Sequence, residues 1–264
     1  MGRVQVAATG WHKEQVRQAF SAQADTYANS AVVAAEQARR RFVSFVDPRA
    51  GERVLDVATG PGFLAFLFAE QAAEVVGIDL TPAMLARAEA NRQAGQIGNV
   101  RFQEGDAESL DFPAASFDIC TCGSAFHHLT DPARVLAEMV RVVRSGGRVA
   151  LIDIITSEVP EQAALHNQLE QWRDPSHTRS LPLSELIALF GRAGLRDLRA
   201  ATYVTLRELN EWFAISHTPP DVAERIRTEF IASMAEDAAG LDAHYEGDRV
   251  CFNHTFAWVV GTRP

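Results

Sequence analysis

From Arg53 onward, short runs of apolar and β-branched residues alternate with stretches whose apolar positions recur at helical spacing. RVLDVA (53–58), EVVGID (74–79), VRFQE (100–104), FDICTC (117–122) and RVALIDI (148–154) have the length and composition of strands, and GFLAFLFAEQ, AMLARAEANR and ARVLAEMVRVV between them read as helices. That alternation predicts βαβ units and a mostly parallel sheet. Thr81 before Pro82 and Asp131 before Pro132 predict N-caps followed by proline at the first helical position. Gly146 and Gly147 predict the stop of the third helix before the fifth strand.

The flanks follow a different pattern. Trp11 to Val46 reads as helical and precedes the first strand, while after Ile155 an irregular segment containing RDPSHTRSLP (173–182) leads to a helix, SELIALFGRAGL. A sixth strand is expected from Arg196 to Val204 and a seventh from Phe252 to Gly261. Between them Thr205 and Glu208 form a possible capping box for ELNEWFAI, and another helix runs from Asp221 towards Ala239. We expect one domain over 1–264, with 11–46 as an N-terminal helical lid. Residues 156–182 and 205–245 are expected to be lid or substrate-side insertions, or helices that only pad the core.

Composition narrows the function. The chain is 47% apolar and 22% charged, ordinary for a globular protein, so disorder is not expected. Its net charge of −9 and scattered basic residues argue against a nucleic-acid partner or an anionic membrane surface. Cys120, Cys122 and Cys251 are too few for a disulfide framework and lack zinc-site spacing, which suggests a reduced, cytoplasmic setting. No apolar run is long enough to span a membrane, so membrane insertion is not expected. His12, His166, His217, His244 and His254 show no H-x-x-x-H spacing, and no metal is expected.

The most informative segment is VLDVATGPGFLA (54–65), a strand that ends in a glycine turn and opens directly into a helix. Such a loop lets backbone approach a ligand and points helix N–H groups at it. Gly60, Gly62 and Ala65 satisfy G-x-G-x-x-A, with Asp79 where a dinucleotide fold places its ribose acid, so an NAD-dependent oxidoreductase is one reading. Three features weigh against it. Asp56, just ahead of the loop, would repel a pyrophosphate but attract an α-ammonium group. Asp106 after the third strand suits an exocyclic adenine amine. Thr59 also departs from a tight glycine-only turn. Taken singly, an Asp in a strand is more often structural, and G-x-G loops occur by chance.

Asp56-Val-Ala-Thr-Gly60-Pro-Gly62, Gly77-Ile-Asp79, Gly105-Asp106-Ala107, and Phe117-Asp118 leading to Phe126-His127-His128 resemble the successive motifs of class I S-adenosylmethionine-dependent methyltransferases, particularly the ubiquinone and menaquinone C-methyltransferase-like group. The resemblance implies a Rossmann-like α/β fold with a seven-stranded sheet of order 3-2-1-4-5-7-6, strand seven antiparallel, and helices on both faces. It implies S-adenosylmethionine as cofactor and S-adenosylhomocysteine as product. Gly60 and Gly62 would shape the loop under the methionine portion, Asp79 would hold the ribose hydroxyls, and Leu80 and Met84 would flank adenine. Asp106 and Ala107 would take the adenine edge, Cys122 would approach the methionine end through its backbone, and Tyr27 would lie over the sulfonium. RDPSHTRS resembles a substrate-side segment of some relatives.

The expected reaction is methyl transfer to carbon or oxygen of a small, partly apolar acceptor such as a quinol, phenol or natural-product intermediate. His127 and His128 fall at the carboxyl edge of the sheet, and an unperturbed histidine pKa of about 6.5 suits a base there, His127 slightly preferred. Capping or packing against the following helix is the alternative for either. His177 and Trp172 are weaker candidates for substrate contact, and Trp212 and Phe213 are either pocket or plain core. A cofactor-binding enzyme that transfers no methyl group is a further alternative.

Overall fold

A computed structural model of the chain describes residues 2–29 and 32–264, with side chains described for 10–24 and 36–264. Two helices, α1 (Gly2–Asn29) and α2 (Val32–Val46), precede the alternating part, which begins β1 (Arg53–Val57), α3 (Phe63–Ala69), β2 (Glu74–Asp79), α4 (Pro82–Ala94), β3 (Val100–Glu104) and β4 (Phe117–Gly123). A 3-10 turn at Phe126–His128 leads to α5 (Pro132–Val142) and β5 (Val143–Thr156). The remainder is α6 (Pro160–Arg173), β6 (Leu181–Pro182), α7 (Leu183–Arg192), β7 (Arg196–Glu208), α8 (Leu209–Ile215), α9 (Pro220–Ser233), β8 (His244–Glu246) and β9 (Arg249–Thr262).

The sheet runs β3-β2-β1-β4-β5-β9-β7, with β9 antiparallel to both neighbours, so the expected order and the one reversed strand are present. Two short strands add to the expected seven: β6 beside β5 and β8 beside β9. Alternation along each strand sorts side chains to opposite faces. Leu55, Cys120, Val149 and Leu151 meet Leu136, Met139 and Phe190 on one side, while Val54, Ile119, Ala150 and Ile152 meet Phe42, Phe68 and Val260 on the other. A third cluster, Leu169, Leu209, Trp212, Ile226, Phe230 and Phe252, packs α6, α8 and α9 against one end of β9.

Local signals hold unevenly. Asp131 caps α5 by accepting from the Arg134 amide at 3.0 Å, whereas Thr81 caps α4 by position only, with Pro82 at its first turn. The glycine pair does not end α5: the helix stops at Val142, and Gly146 and Gly147 lie within β5. The capping box at Thr205 is also corrected, since Thr205 is still in β7 and Glu208 itself caps α8, accepting from the Asn210 and Glu211 amides. Among the described residues, no helix is long and apolar enough to cross a membrane.

Gly77 is a tight spot in the sheet centre. It pairs with Asp56 on β1 and Phe102 on β3, and a Cβ there would stand 2.6 Å from the Phe102 ring and 2.8 Å from Thr59 Oγ1. Gly77→Ala is therefore expected to destabilise the fold by about 1–3 kcal/mol, the usual cost of overpacking. Urea unfolding checks this, and an unchanged midpoint would contradict the close approach.

Candidate active site

The strand order reverses between β1 and β4, and an open α/β sheet leaves a crevice outside its strand ends at such a point. A cavity of about 410 Å³ lies there, within the range of small-molecule sites. Two residues at its rim hold left-handed backbone without being glycine: Ala58 after β1 (φ 55°) and Ser124 after β4 (φ 52°). Strain of this kind concentrates at ligand sites.

At the near end, Gly60 (φ 54°) turns the chain, and the space its Cβ would take is empty. Its amide donates to Asp79 Oδ2 at 2.8 Å, and the Thr81 amide donates to Asp79 Oδ1 at 2.9 Å, so the carboxylate is fixed at the end of β2. Burial raises the Asp79 pKa above its ordinary value, against these amide bonds. Leu80, Met84, Asp106 and Ala107 complete this end.

Helix α1 lies over the cavity through His12, Lys13, Val16 and Phe20. Lys13 Nζ sits 2.7 Å from both Asp106 Oδ2 and Glu108 Oε2. Partial burial opposes the charge on Lys13, but these two acids outweigh it and raise its pKa. His12 Nε2 lies 2.9 Å from the His128 carbonyl and 3.1 Å from Thr178 Oγ1.

His127 and His128 stand together on the cavity wall, with ring centroids 4.1 Å apart, yet their surroundings differ. His127 Nδ1 is 2.6 Å from Asp153 Oδ1, on β5. The same carboxylate accepts the Phe126 amide at 2.6 Å and the Ile154 amide at 2.7 Å, which holds both the acid and the histidine turn. Burial disfavours protonation of His127, but the charge and hydrogen bond of Asp153 outweigh it and raise the pKa above 6.5. His127 Nε2 makes no hydrogen bond to any described residue.

His128 is committed elsewhere. Its Nδ1 lies 3.0 Å from the Ser176 carbonyl, an acceptor, so that nitrogen carries the proton. Burial first, and then the nearby His127, push its pKa down to about 4. The His127 carbonyl accepts the Thr178 and Arg179 amides, and Ser176 Oγ donates to Asp174. RDPSHTRS thus braces the histidine turn from behind.

The far end is lined by Ile152, Ile154, Tyr203, Trp212, Ile215 and Phe256, with Glu170, Arg173 and His254 as polar groups among them. Burial raises the Glu170 carboxyl, but Arg173 and the imidazoles of His166 and His254 outweigh it and hold the group well below the ordinary range.

Residues 55–151 match the family described as Methyltransferase domain. The uncharacterized methyltransferase YcgJ of Bacillus subtilis is 33% identical over 235 residues, covering 88% of this chain and 93% of that protein. The crystal structure of YcgJ superposes with a TM-score of 0.81 at 31% identity, covering 86% of this chain and 98% of that one. This chain belongs to the class I S-adenosylmethionine-dependent methyltransferases. Its cofactor is S-adenosylmethionine, and the dinucleotide reading is set aside. The methyltransferase is also 32% identical over 184 residues to aklanonic acid methyltransferase DauC of a Streptomyces species, covering 64% of this chain and 83% of that protein. Demethylmenaquinone methyltransferase of Thermus thermophilus is 42% identical over 117 residues, covering 44% of this chain and about half, 53%, of that protein.

Several expected site residues of the methyltransferase lie away from the cavity. Asp56 is fully buried behind the loop, where its Oδ2 accepts from Thr59 Oγ1 at 2.6 Å, and burial pushes its pKa up to about 7. It shapes the loop through Thr59. Gly62 (φ 86°) caps α3 and is not a lining residue, because its Cα faces the Phe66 and Phe102 rings. Cys122 points into the core, and Gly123 and Ser124 reach the cavity instead. His177 Nε2 bonds Asn167 Oδ1 at 3.0 Å behind the histidine turn, and Trp172 packs beneath Arg225, so neither lines the cavity. The Tyr27 side chain lies outside the described residues. Asp153, Glu170 and Arg39 are not among the residues the sequence points to. Asp153 does carry a signal, as an acid inside the apolar run from Val149 to Ile155.

Proposed function

We propose that the near end of the cavity holds S-adenosylmethionine and the far end a small, partly apolar acceptor, methylated at carbon or oxygen with His127 as general base. The near end fits the cofactor by its donor set and its open loop. Asp79 would accept from the ribose hydroxyls and Asp106 from the adenine amine, with Ala107 at the ring edge and Leu80 and Met84 on its faces. The Gly60 turn would run under the methionine portion, near the guanidinium of Arg39, which suits a carboxylate. When bound, the cofactor supplies an electrophilic methyl group.

The chain supplies alignment, exclusion of water and proton removal. Helix α1 acts as the lid, latched by Lys13 across Asp106 and Glu108. The apolar far wall receives the acceptor body. Relatives named for aklanonic acid and demethylmenaquinone support a small-molecule acceptor of this kind.

The observation that carries the base assignment is the 2.6 Å contact between His127 Nδ1 and Asp153, which leaves Nε2 as the proton acceptor at the cavity. A base works unprotonated, and Asp153 raises the His127 pKa. The acid limb of kcat/KM is therefore expected above pH 6.5, with activity rising as pH increases through it. Asp153→Asn removes the charge, leaves burial dominant and moves the limb to lower pH while reducing the plateau. Release of S-adenosylhomocysteine from phenol and hydroquinone acceptors, followed across pH, measures both. A limb that stays in place in Asp153→Asn would rule out His127 as the titrating base.

A further inference from the structure

Opposite the histidine turn, α6 and β9 bring together three side chains that the cofactor site does not use. His166 and Glu170 are one helical turn apart, so they share a face of α6, and His254 approaches from β9. All three are buried, at 1%, 2% and 4% exposure. Glu170 Oε1 lies 3.2 Å from His254 Nε2 and 3.8 Å from His166 Nε2, and one donor atom from each residue falls within 4.8 Å of the others.

The nitrogens are orphans. Neither nitrogen of His166, nor Nε2 of His254, has a hydrogen-bond partner among the described residues: Glu170 Oε1 is too far from His166 Nε2 for a bond and out of line for one at His254 Nε2. Glu170 has a cationic partner besides these imidazoles. Its other oxygen, Oε2, accepts from Arg173 Nε at 3.0 Å and Nη2 at 2.8 Å, and Arg173 is itself held over the Trp212 ring. That bidentate contact balances the carboxylate and aims Oε1 between two imidazoles. Orphaned imidazole nitrogens around a fixed carboxylate oxygen are the donor set of a borderline metal ion.

We propose that His166, Glu170 and His254 form a binding site for a divalent first-row transition ion of the zinc type. Ligand bonds of about 2.0–2.2 Å in a tetrahedral arrangement separate donor atoms by roughly 3.3 Å, and the donor atoms of this triad already lie within 4.8 Å of one another. Three protein ligands leave one position open. Glu170 and His254 line the cavity, so that position faces the far end. With Arg173 already balancing Glu170, the ion keeps its double charge, and an anionic oxygen such as a phenolate or enolate is the ligand it favours. This last role rests on the methyl-acceptor reading above; the ion site itself does not.

The test uses the full-length chain, freed of metal with a chelator and titrated with ZnCl2 and with CoCl2 in the absence of acceptor. One equivalent of Zn²⁺ is expected to bind, and Co²⁺ is expected to develop visible absorption bands of a low-coordinate site. Glu170→Gln, His166→Gln and His254→Gln should each weaken binding by at least about a hundredfold, beyond the 10–100-fold typical of losing an outer-shell partner. Calorimetric binding of S-adenosylhomocysteine identifies which variants remain folded. Absence of stoichiometric binding in the wild type overturns the site. So does binding that the folded variants retain, since the ion then sits on other histidines. Because the readout is metal binding without acceptor, a failed methyl-transfer assay and a failed metal site remain distinct results.

Discussion

His127→Gln is expected to lower the rate of methyl transfer by about 10²–10⁴-fold, the usual contribution of a general base, with S-adenosylhomocysteine affinity unchanged. The residue stands at the cavity wall with one nitrogen tied to Asp153 and the other without a partner among the described residues, so removing the imidazole takes away a proton acceptor. His128→Gln is the informative comparison. His128 donates to the Ser176 carbonyl and packs edge-on against Phe20, so its loss loosens the turn rather than the chemistry. Initial rates at saturating cofactor, set beside thermal melting, separate the two. Equal rate losses in both variants, or a His127→Gln enzyme as fast as wild type, would remove His127 from the base role.

Asp79→Ala is expected to weaken S-adenosylhomocysteine by roughly 10²–10⁴-fold. Each hydrogen bond to a charged group contributes about 1.5–3 kcal/mol, and two ribose hydroxyls make about 3–6 kcal/mol, which converts to that range. The carboxylate also accepts the Gly60 and Thr81 amides, so part of the loss comes from a loop no longer held at the end of β2. Asp79→Asn keeps one acceptor oxygen and should fall between wild type and Asp79→Ala. Isothermal titration measures all three. An Asp79→Ala protein that titrates like wild type would move the ribose elsewhere in the cavity.

How much of this was legible follows from the range of the interactions. The alternation of strands and helices and the glycine loop rest on local runs and on spacings within one βαβ unit, and those survive in the sequence, whereas the sheet order was implied only by the resemblance of the ordered motifs to a known family. Gly146 and Gly147 mislead because each serves β5 and neither stops a helix: Gly146 holds a left-handed φ of 74°, and a Cβ at Gly147 would stand 2.5 Å from the Asp118 carbonyl, a contact between strands. Asp56 was read as a ligand group because its position in the strand is visible but its depth is not. His177 shows the same problem in RDPSHTRS, where Arg173 and Asp174 reach the cavity while His177 turns behind the histidine turn to bond Asn167.

The far end of the cavity was the least legible part. Its wall comes from α6, β7, α8 and β9, elements that belong to no repeating unit and meet only through the third apolar cluster. The spacing of His166 and Glu170 is a same-face helical pair that sequence can offer, but His254 joins it from a strand near the other end of the chain. Asp153 and His127 meet in the same way, through the pairing of β4 with β5.

The left-handed backbone at Ala58 and Ser124 gives the cavity a further property. Both residues sit where a strand releases the chain to the ligand, and both hold a conformation that most side chains avoid. Backbone bonds to the neighbouring strands hold these turns, the Thr59 amide donating to the Ile78 carbonyl at 2.9 Å and the Ser124 amide to the Ile152 carbonyl at 2.8 Å. Turns tied to the sheet in this way have little freedom left to lose, which lowers the ordering entropy that cofactor capture must overcome.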